Sequence, residues 1–350
     1  MQRGNPDSDG NGFNDLVENA AGSGLINFPP PPFGPLRRHL ITLRDVTNYV
    51  HTDISYEEYL NAALILLRMP VRLDPGNPYT DMLIPPDTPI QRTQDGFVTL
   101  GSPNILHLIA EVASRAQKAV WFQKWAIHRR LRPEEFGGRI QVQLVEAPGR
   151  YNRMLDSTEI VQRLGAPGIL HDQLLAQFGT RLLPQAFLEG APAHPSYGSG
   201  HATVAGACVA LLKAWFDESE PFDPAVIPAA IPGVPPGFIN SGNIAVPSLM
   251  TNRIPVRPTL SGLDLEVDPA LNLAINPAAP ILTVGGELNK LASNIAIARN
   301  AAGVHYRSDY WQSLLLGEEV AIRFLREQKL TYNEDFHLSF TKFDGTSMII

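Results

Sequence analysis

From Ala202 to Phe216 the sequence is apolar on nearly every face that a helix could present. Such a helix has one stable place in a globular chain, the middle of the core with neighbours on all sides. Its longest apolar run, Ala202 to Leu212, ends at Lys213 and falls far short of the ~20 residues needed to cross a bilayer. The stretch leading into it, Ala193-His194-Pro195-Ser196-Tyr197-Gly198-Ser199-Gly200-His201-Ala202-Thr203, brings small residues and two histidines to the helix start. Ser199 reads as the N-cap. Backbone N–H groups in a first helical turn lack partners and sit at the positive end of the dipole, so they suit an oxyanion. Gly200 helps by lacking a Cβ. Taken alone, the stretch reads more simply as an N-cap and a turn.

Two other stretches supply what a phosphate-like anion needs. Lys124-Trp125-Ala126-Ile127-His128-Arg129-Arg130-Leu131-Arg132-Pro133 closes a helix with Lys124 and Arg132 eight residues apart. Pro133 disfavours helical geometry at Arg132, which therefore sits at or just past the helix end, with Lys124 two turns inside. The third stretch, Ala298 to Asp309, holds Arg299, then His305 six residues on and Asp309 four beyond that. Each has an ordinary explanation by itself. Arg129 and Arg130 mark a helix end that is simply basic, as the dipole favours, and a lone histidine beside an apolar helix is usually a hydrogen-bonded core residue. Asp309, one turn after His305, is placed to hold the ring's far nitrogen. The 350-residue chain carries a net charge of −7, which argues against a nucleic-acid partner, so a gathering of cations would be a local feature. Cys208 is the sole cysteine; no intrachain disulfide can form, and the thiol reads as a small core residue.

Residues 1–35 read as an arm and 36–350 as one helical domain. In the arm, Asp7, Asp9, Asn11, Phe13, Asp15 and Glu18 fit the calcium-loop pattern D-x-[DN]-x-[DN]-G-x5-E, with oxygen ligands at alternating positions and a bidentate carboxylate last. Too little chain precedes Asp7 for an entering helix, and a polar tail that binds nothing is the equal alternative. Gly22 to Pro35 is a linker. The start at Met1 lacks the basic and apolar regions of a signal peptide, so the chain is expected to be a processed or truncated piece, or not to be exported by that route. In the body, Ser55 and Glu58 read as a capping box for a core helix carrying Tyr59, Leu60, Ala63, Leu64 and Leu67. Ser102 and Pro103 read as N-cap and first residue of the longest helix, ending near Leu131. Shorter helices follow from Asp156 and over Ile169–Phe178, and later ones over Leu288–Asn300 and Ser308–Gln328. Residues 217–280, rich in proline and glycine, are an irregular excursion with room for a small β-hairpin. The fold class is all-α, a helical bundle with long Pro/Gly-rich loops.

The three ordered blocks, Lys124…Arg132-Pro133, Ser199-Gly200-His201 and Arg299…His305 with Asp309, resemble the vanadium-dependent haloperoxidases, specifically the algal and cyanobacterial bromoperoxidase branch of the superfamily that includes phosphatidic-acid-type acid phosphatases. The match runs from about residue 27 to the C-terminus, and the spacing of Lys124 from Arg132 is similar to the bromoperoxidase form. Gly198 departs from the pattern, standing where proline usually precedes Ser-Gly-His. The resemblance implies vanadate as cofactor. Lys124, Arg132 and Arg299 would neutralise its oxygens, Ser199 and the Gly200 N–H would add hydrogen bonds, His305 would bind vanadium, and Asp309 would fix the His305 tautomer. His201 is the implied acid/base group, and Trp121 and His194 are the implied halide pocket. The implied reaction is oxidation of bromide, chloride or iodide by hydrogen peroxide, with a small organic substrate halogenated in turn. The same ligand set could serve an acid phosphatase with a phospho-histidine at His305. A third reading is a calcium-dependent binding module whose pocket merely holds phosphate. No nucleic acid or membrane is expected as partner, a homo-oligomer is, and the calcium-type loop favours a secreted or periplasmic location.

Overall fold

The computed structural model describes residues 43–68, 71–79, 95–151, 169–180, 182–221, 256–258, 265–267 and 283–350. The arm with its calcium-type loop and the helix expected from Asp156 lie outside these residues. In chain order come α1 (Leu43–Thr52), α2 (Glu57–Arg68), α3 (Ser102–Phe122), α4 (Pro133–Gln141), α5 (Ile169–Phe178) and α6 (Gly200–Trp215), then strands β1 (Val256–Pro258) and β2 (Leu265–Val267), helices α7 (Val284–Ala301) and α8 (Arg307–Lys329), and strands β3 (Ser339–Thr341) and β4 (Ser347–Ile349). The architecture is all-α, with antiparallel β1–β2 and β3–β4 pairs as its strand content among the described residues.

Helix α6 is the centre. Every residue from Ala202 to Trp215 is buried, and α8, α7, α3 and α2 pack around it, with β3 against its C-terminal half. Two glycines set its spacing from α8. A Cβ at Gly206 would collide with the Leu314 carbonyl, and one at Gly317 with the Thr203 carbonyl. The backbones therefore cross close enough for the Ser199 N–H to donate to the Ser313 hydroxyl at 2.8 Å. This contact sets the N-terminus of α6 against the first turns of α8, which hold Asp309 and follow directly on His305.

Several local expectations change. Ser199 caps α6 as read, its hydroxyl accepting from the Ala202 N–H at 3.4 Å. Gly101, in extended conformation, is the N-cap of α3, and Ser102 is already helical. The Ser55/Glu58 capping box does not form: α2 begins at Glu57, whose N–H bonds the Ile54 carbonyl at 2.8 Å, and the Glu58 side chain is buried. The pairing of β1 with β2 supplies the hairpin expected within 217–280. The β3–β4 hairpin was not read from the sequence, being short and following a long helix.

Candidate active site: a cluster of buried cations at the start of the central helix

The end of α3 is not α-helical. From Gln123 to His128 the chain makes a π-helical turn, closed by Arg129 in the left-handed conformation. Such turns insert a residue into the helical register and recur at functional sites. Here Lys124 turns inward and is only 1% exposed, while Trp121, Phe122 and Trp125 stay on the surface. The Lys124 ammonium donates to the carbonyls of Pro195 (2.8 Å) and Ser196 (3.3 Å). Arg132 takes the extended geometry that Pro133 imposes and becomes the N-cap of α4, its N–H bonded to the Glu135 carboxylate at 3.0 Å. Its guanidinium turns into the core, donating through Nε to the His194 carbonyl (2.8 Å) and through Nη1 to the Val304 carbonyl (2.8 Å). Arg299, on the last turn of α7, is buried over the Phe187 ring and donates through Nη1 to the Val50 carbonyl at 3.1 Å, while its Nε has no partner among the described residues.

His305 occupies the junction between α7 and α8. Its Nδ1 lies 3.0 Å from the Asp309 carboxylate and its Nε2 lies 3.1 Å from Arg132 Nη1. Arginine can only donate and the carboxylate can only accept. The neutral ring therefore carries its proton on Nδ1 and presents the Nε2 lone pair to the cation cluster. Asp309 is completely buried and also accepts from Arg130 Nη1 (2.9 Å), the Tyr306 N–H (3.1 Å) and, in a short contact, the Ser196 hydroxyl. His201 sits in the first turn of α6 with Nε2 2.9 Å from the Asp53 carboxylate, and Asp53 also acts electrostatically on Arg299. His194 Nδ1 accepts from Arg132 Nη2 at 3.0 Å, and its ring packs against Trp121 with centroids 5.0 Å apart. Trp121 thus meets His194 and Trp125. The broad apolar groove lined by Gln117, Lys118, Trp121, Phe122, Trp125 and Ala126 lies on the outer face of the α3 end, outside the cation cluster.

The net shift of each cation in the cluster is downward, although Asp309 opposes it at Lys124 and Arg132. Burial pushes the Lys124 ammonium down to about 7, and Arg132 beside it pushes the same way. Arg132 falls to about 10, through burial and then Arg299, and burial lowers Arg299 despite Asp53 and Glu189. His194 drops to about 4, through burial followed by Lys124 and Arg132. Burial holds His305 well below its ordinary value against the pull of Asp309. Burial would raise Asp309, but the bonds from His305, Ser196 and the Tyr306 N–H outweigh it and the net shift is downward. In the first turn of α6 the N–H groups of Gly200 and His201 remain without partners among the described residues. Positive charge buried without matching negative charge is expensive. The described residues hold no group of three His, Cys, Asp or Glu side chains suited to a metal cation, and the donor set favours an oxyanion.

Arg130, Asp53 and Ser196 were missed by the sequence reading. Arg130 looked like one more charge on a basic helix end, whereas it pairs with Asp309. Asp53 lies 148 residues from His201, and no local spacing links them.

Fold and site together define an α-helical protein with a cluster of buried cations and a buried histidine at the start of its central helix. A family model described as the VCPO second helical-bundle domain matches residues 179–334. Curated vanadium-dependent bromoperoxidases are similar over most of the chain. The protein from Corallina pilulifera is 42% identical over 91% of this chain and 48% of its own length, and that from Ascophyllum nodosum is 34% identical over 90% and 50%. A solved structure, titled as the homohexameric second vanadate-dependent bromoperoxidase from Ascophyllum nodosum, is 27% identical with a TM-score of 0.57, covering 89% of this chain and 49% of that one. The chain is thus similar to vanadium-dependent bromoperoxidases over most of its own length. It spans about half the length of the curated relatives it matches.

Proposed function

We propose that this chain binds vanadate at the start of α6 and uses hydrogen peroxide to oxidise bromide, yielding a hypohalous species that halogenates small organic molecules. The observation that carries this reading is the gathering of buried Lys124, Arg132 and Arg299 around His305, whose unprotonated Nε2 faces Arg132 Nη1 at 3.1 Å. The orphaned Arg299 Nε, the free N–H groups of the first turn and the absence of a Cβ at Gly200 fit a tetrahedral oxyanion. The names of the relatives support vanadate over phosphate.

In this reading Lys124, Arg132 and Arg299 hold the anion's charge, and the Ser199 hydroxyl and Gly200 N–H add hydrogen bonds. His305 offers Nε2 as the metal ligand, with Asp309 fixing the tautomer and Arg130 and Ser196 fixing Asp309. His201, anchored by Asp53, moves the proton as hydrogen peroxide enters. Bound vanadate supplies the Lewis-acid centre that activates peroxide toward halide. Trp121 and His194 form the wall where halide approaches: the indole edge and the neutral imidazole suit a large, weakly hydrated anion.

Residues 36–350 serve as the one domain for this chemistry. The homohexameric relative supports a homo-oligomer. The arm's calcium site, at Asp7, Asp9, Asn11, Phe13, Asp15 and Glu18, rests on ligand spacing alone. The deciding experiment compares bromination of an activated diketone, with vanadate and peroxide present, against release of nitrophenol from its phosphate by the vanadate-free protein. Bromination far more efficient than hydrolysis is expected. Strong hydrolysis without peroxide-dependent bromination would replace this reading with the phosphatase one.

A further inference from the structure

The π-helical turn that carries Lys124 inward leaves an aromatic face on the outer side of the α3 end. Gln117, Trp121 and Trp125 follow one another at four-residue steps, with Phe122 alongside, and among the described residues the three rings stand 48%, 45% and 60% exposed for Trp121, Trp125 and Phe122. Together with Lys118 and Ala126 they line a groove of about 730 Å³. That size suits a small molecule, and exposed apolar patches of this kind mark binding surfaces. The Trp121 and Trp125 indoles meet edge to face with centroids 6.3 Å apart. Two contacts join the groove to the start of α6. The Trp121 ring packs on that of His194, which Arg132 Nη2 holds at 3.0 Å. The Gln117 amide lies against Gly200, where a Cβ would come within 3.2 Å of Gln117 Oε1.

An oxidised halogen is an electrophile and reacts with carbon that offers electrons. We propose that this groove binds the organic substrate, an electron-rich aromatic ring of the phenol class, stacked on Trp125 and Phe122 with one end toward the first turn of α6. The proposal rests on the haloperoxidase reading, whose hypobromous acid supplies the bromine. In the transfer a π pair of the ring forms the C–Br bond while the Br–O bond breaks, its pair staying with oxygen. The same ring carbon then gives its proton to that oxygen, leaving a bromophenol and water. Flat aromatic walls favour an aromatic guest over an aliphatic one, because ring faces and edges attract beyond the area they cover. Gln117 and Lys118 are the polar members of the lining and offer N–H donors to the phenolic oxygen. A second copy of the chain is the weaker occupant, since it would cover Trp121, where halide approaches in that reading.

The binding test uses the full-length, vanadate-free protein without peroxide, so a failure of bromide oxidation does not touch it. Fluorine NMR of para-fluorophenol should show saturable line broadening, with affinity about tenfold weaker in Trp125→Ala, the scale of one lost aromatic pair. Phe122→Ala should weaken it too, and both variants should bind phosphate as the wild type does. Both replaced rings are exposed and outside the core. With vanadate, peroxide and bromide added, phenol should be brominated in an ortho-to-para ratio unlike that of free hypobromous acid, and Trp125→Ala should restore the free ratio. Binding that is absent, or alike in wild type and Trp125→Ala, overturns the proposal, and equal displacement by cyclohexanol overturns the aromatic class. Self-association abolished by Trp125→Ala, with no phenol bound, overturns it in favour of a second copy. A wild-type ratio equal to that of free hypobromous acid overturns the link to halogenation. Saturable binding without any bromination supports the groove and overturns the haloperoxidase reading instead.

Discussion

Buried cations stand at both ends of α6, and the two ends are completed in different ways. At the C-terminal end Lys213 is fully enclosed, donating to the Asn289 side chain at 3.2 Å and, in a short contact, to the Thr341 carbonyl, with the Glu218 carboxylate 3.7 Å away and the Phe340 and Phe343 rings beneath it. Burial lowers its pKa, while Glu218 and Glu318 oppose the shift. Those carboxylates in turn accept the Thr341 and Phe343 N–H groups, each at 2.7 Å, which ties the β3–β4 hairpin to the core. At the N-terminal end burial lowers Lys124, Arg132 and Arg299, Arg132 and Arg299 add to the shift of Lys124, and the Arg299 Nε lacks a partner among the described residues. One end is a finished structural ion cluster. The other is, in the proposed reading, completed by an anion from outside.

The largest expected effect separates the two lysines by stability. Removing one partner of a buried ion pair leaves an uncompensated charge and costs about 3–5 kcal/mol. Lys213→Met strands Glu218, and urea unfolding should register a loss of that size with anion binding intact. Lys124→Met removes a charge from an already positive cluster, so its loss of stability should be clearly smaller while oxyanion binding weakens sharply. Equal destabilisation by the two variants would erase the distinction between the ends.

Ligand stabilisation sharpens the same comparison. Phosphate or vanadate at about 100 times its Kd should add ~2.7 kcal/mol to the unfolding free energy of the wild type. Lys213→Met should retain that gain and Arg132→Ala should lose it, as read by thermal unfolding with and without the anion.

Much of this contrast is legible in the sequence, and the rest is not for identifiable reasons. The enclosed helix follows from its unbroken apolar faces, the Ser199 cap from residue chemistry, the Arg132 conformation from Pro133, and the His305–Asp309 pair from one helical turn. These signals are local. Asp53 and Arg130 act across the fold, and tertiary packing decides whether a charge near a helix end is solvated or buried. The π-helical turn that carries Lys124 inward has no residue signature. Glu58 shows how a local rule is overridden: its spacing from Ser55 fits a capping box, yet the helix begins at Glu57 and the Glu58 side chain is buried.

A smaller effect concerns pH. The Lys124 pKa, held down to about 7, lies below the ~10.4 of an unfolded lysine. Between these values the unfolded chain binds more protons, so this group makes the ligand-free protein more stable as pH rises through that window. Anion binding runs the other way, because the bound anion needs the ammonium. Affinity for phosphate should therefore fall above about pH 7 more steeply in the wild type than in Lys124→Met, the difference removing the ligand's own titration. Calorimetry across pH 6–9 would read it, and parallel slopes would deny Lys124 a place at the anion.

The central claim is that the open end of α6 is a vanadate site whose metal ligand is His305. Its most direct measurement is vanadium retention after desalting, combined with X-ray absorption at the vanadium edge. The account predicts one vanadium per chain with a nitrogen in its coordination sphere, displaced by phosphate, lost in His305→Ala and kept in His201→Ala. Failure of the wild type to retain vanadium, or an unchanged nitrogen-coordinated signal in His305→Ala, would contradict it.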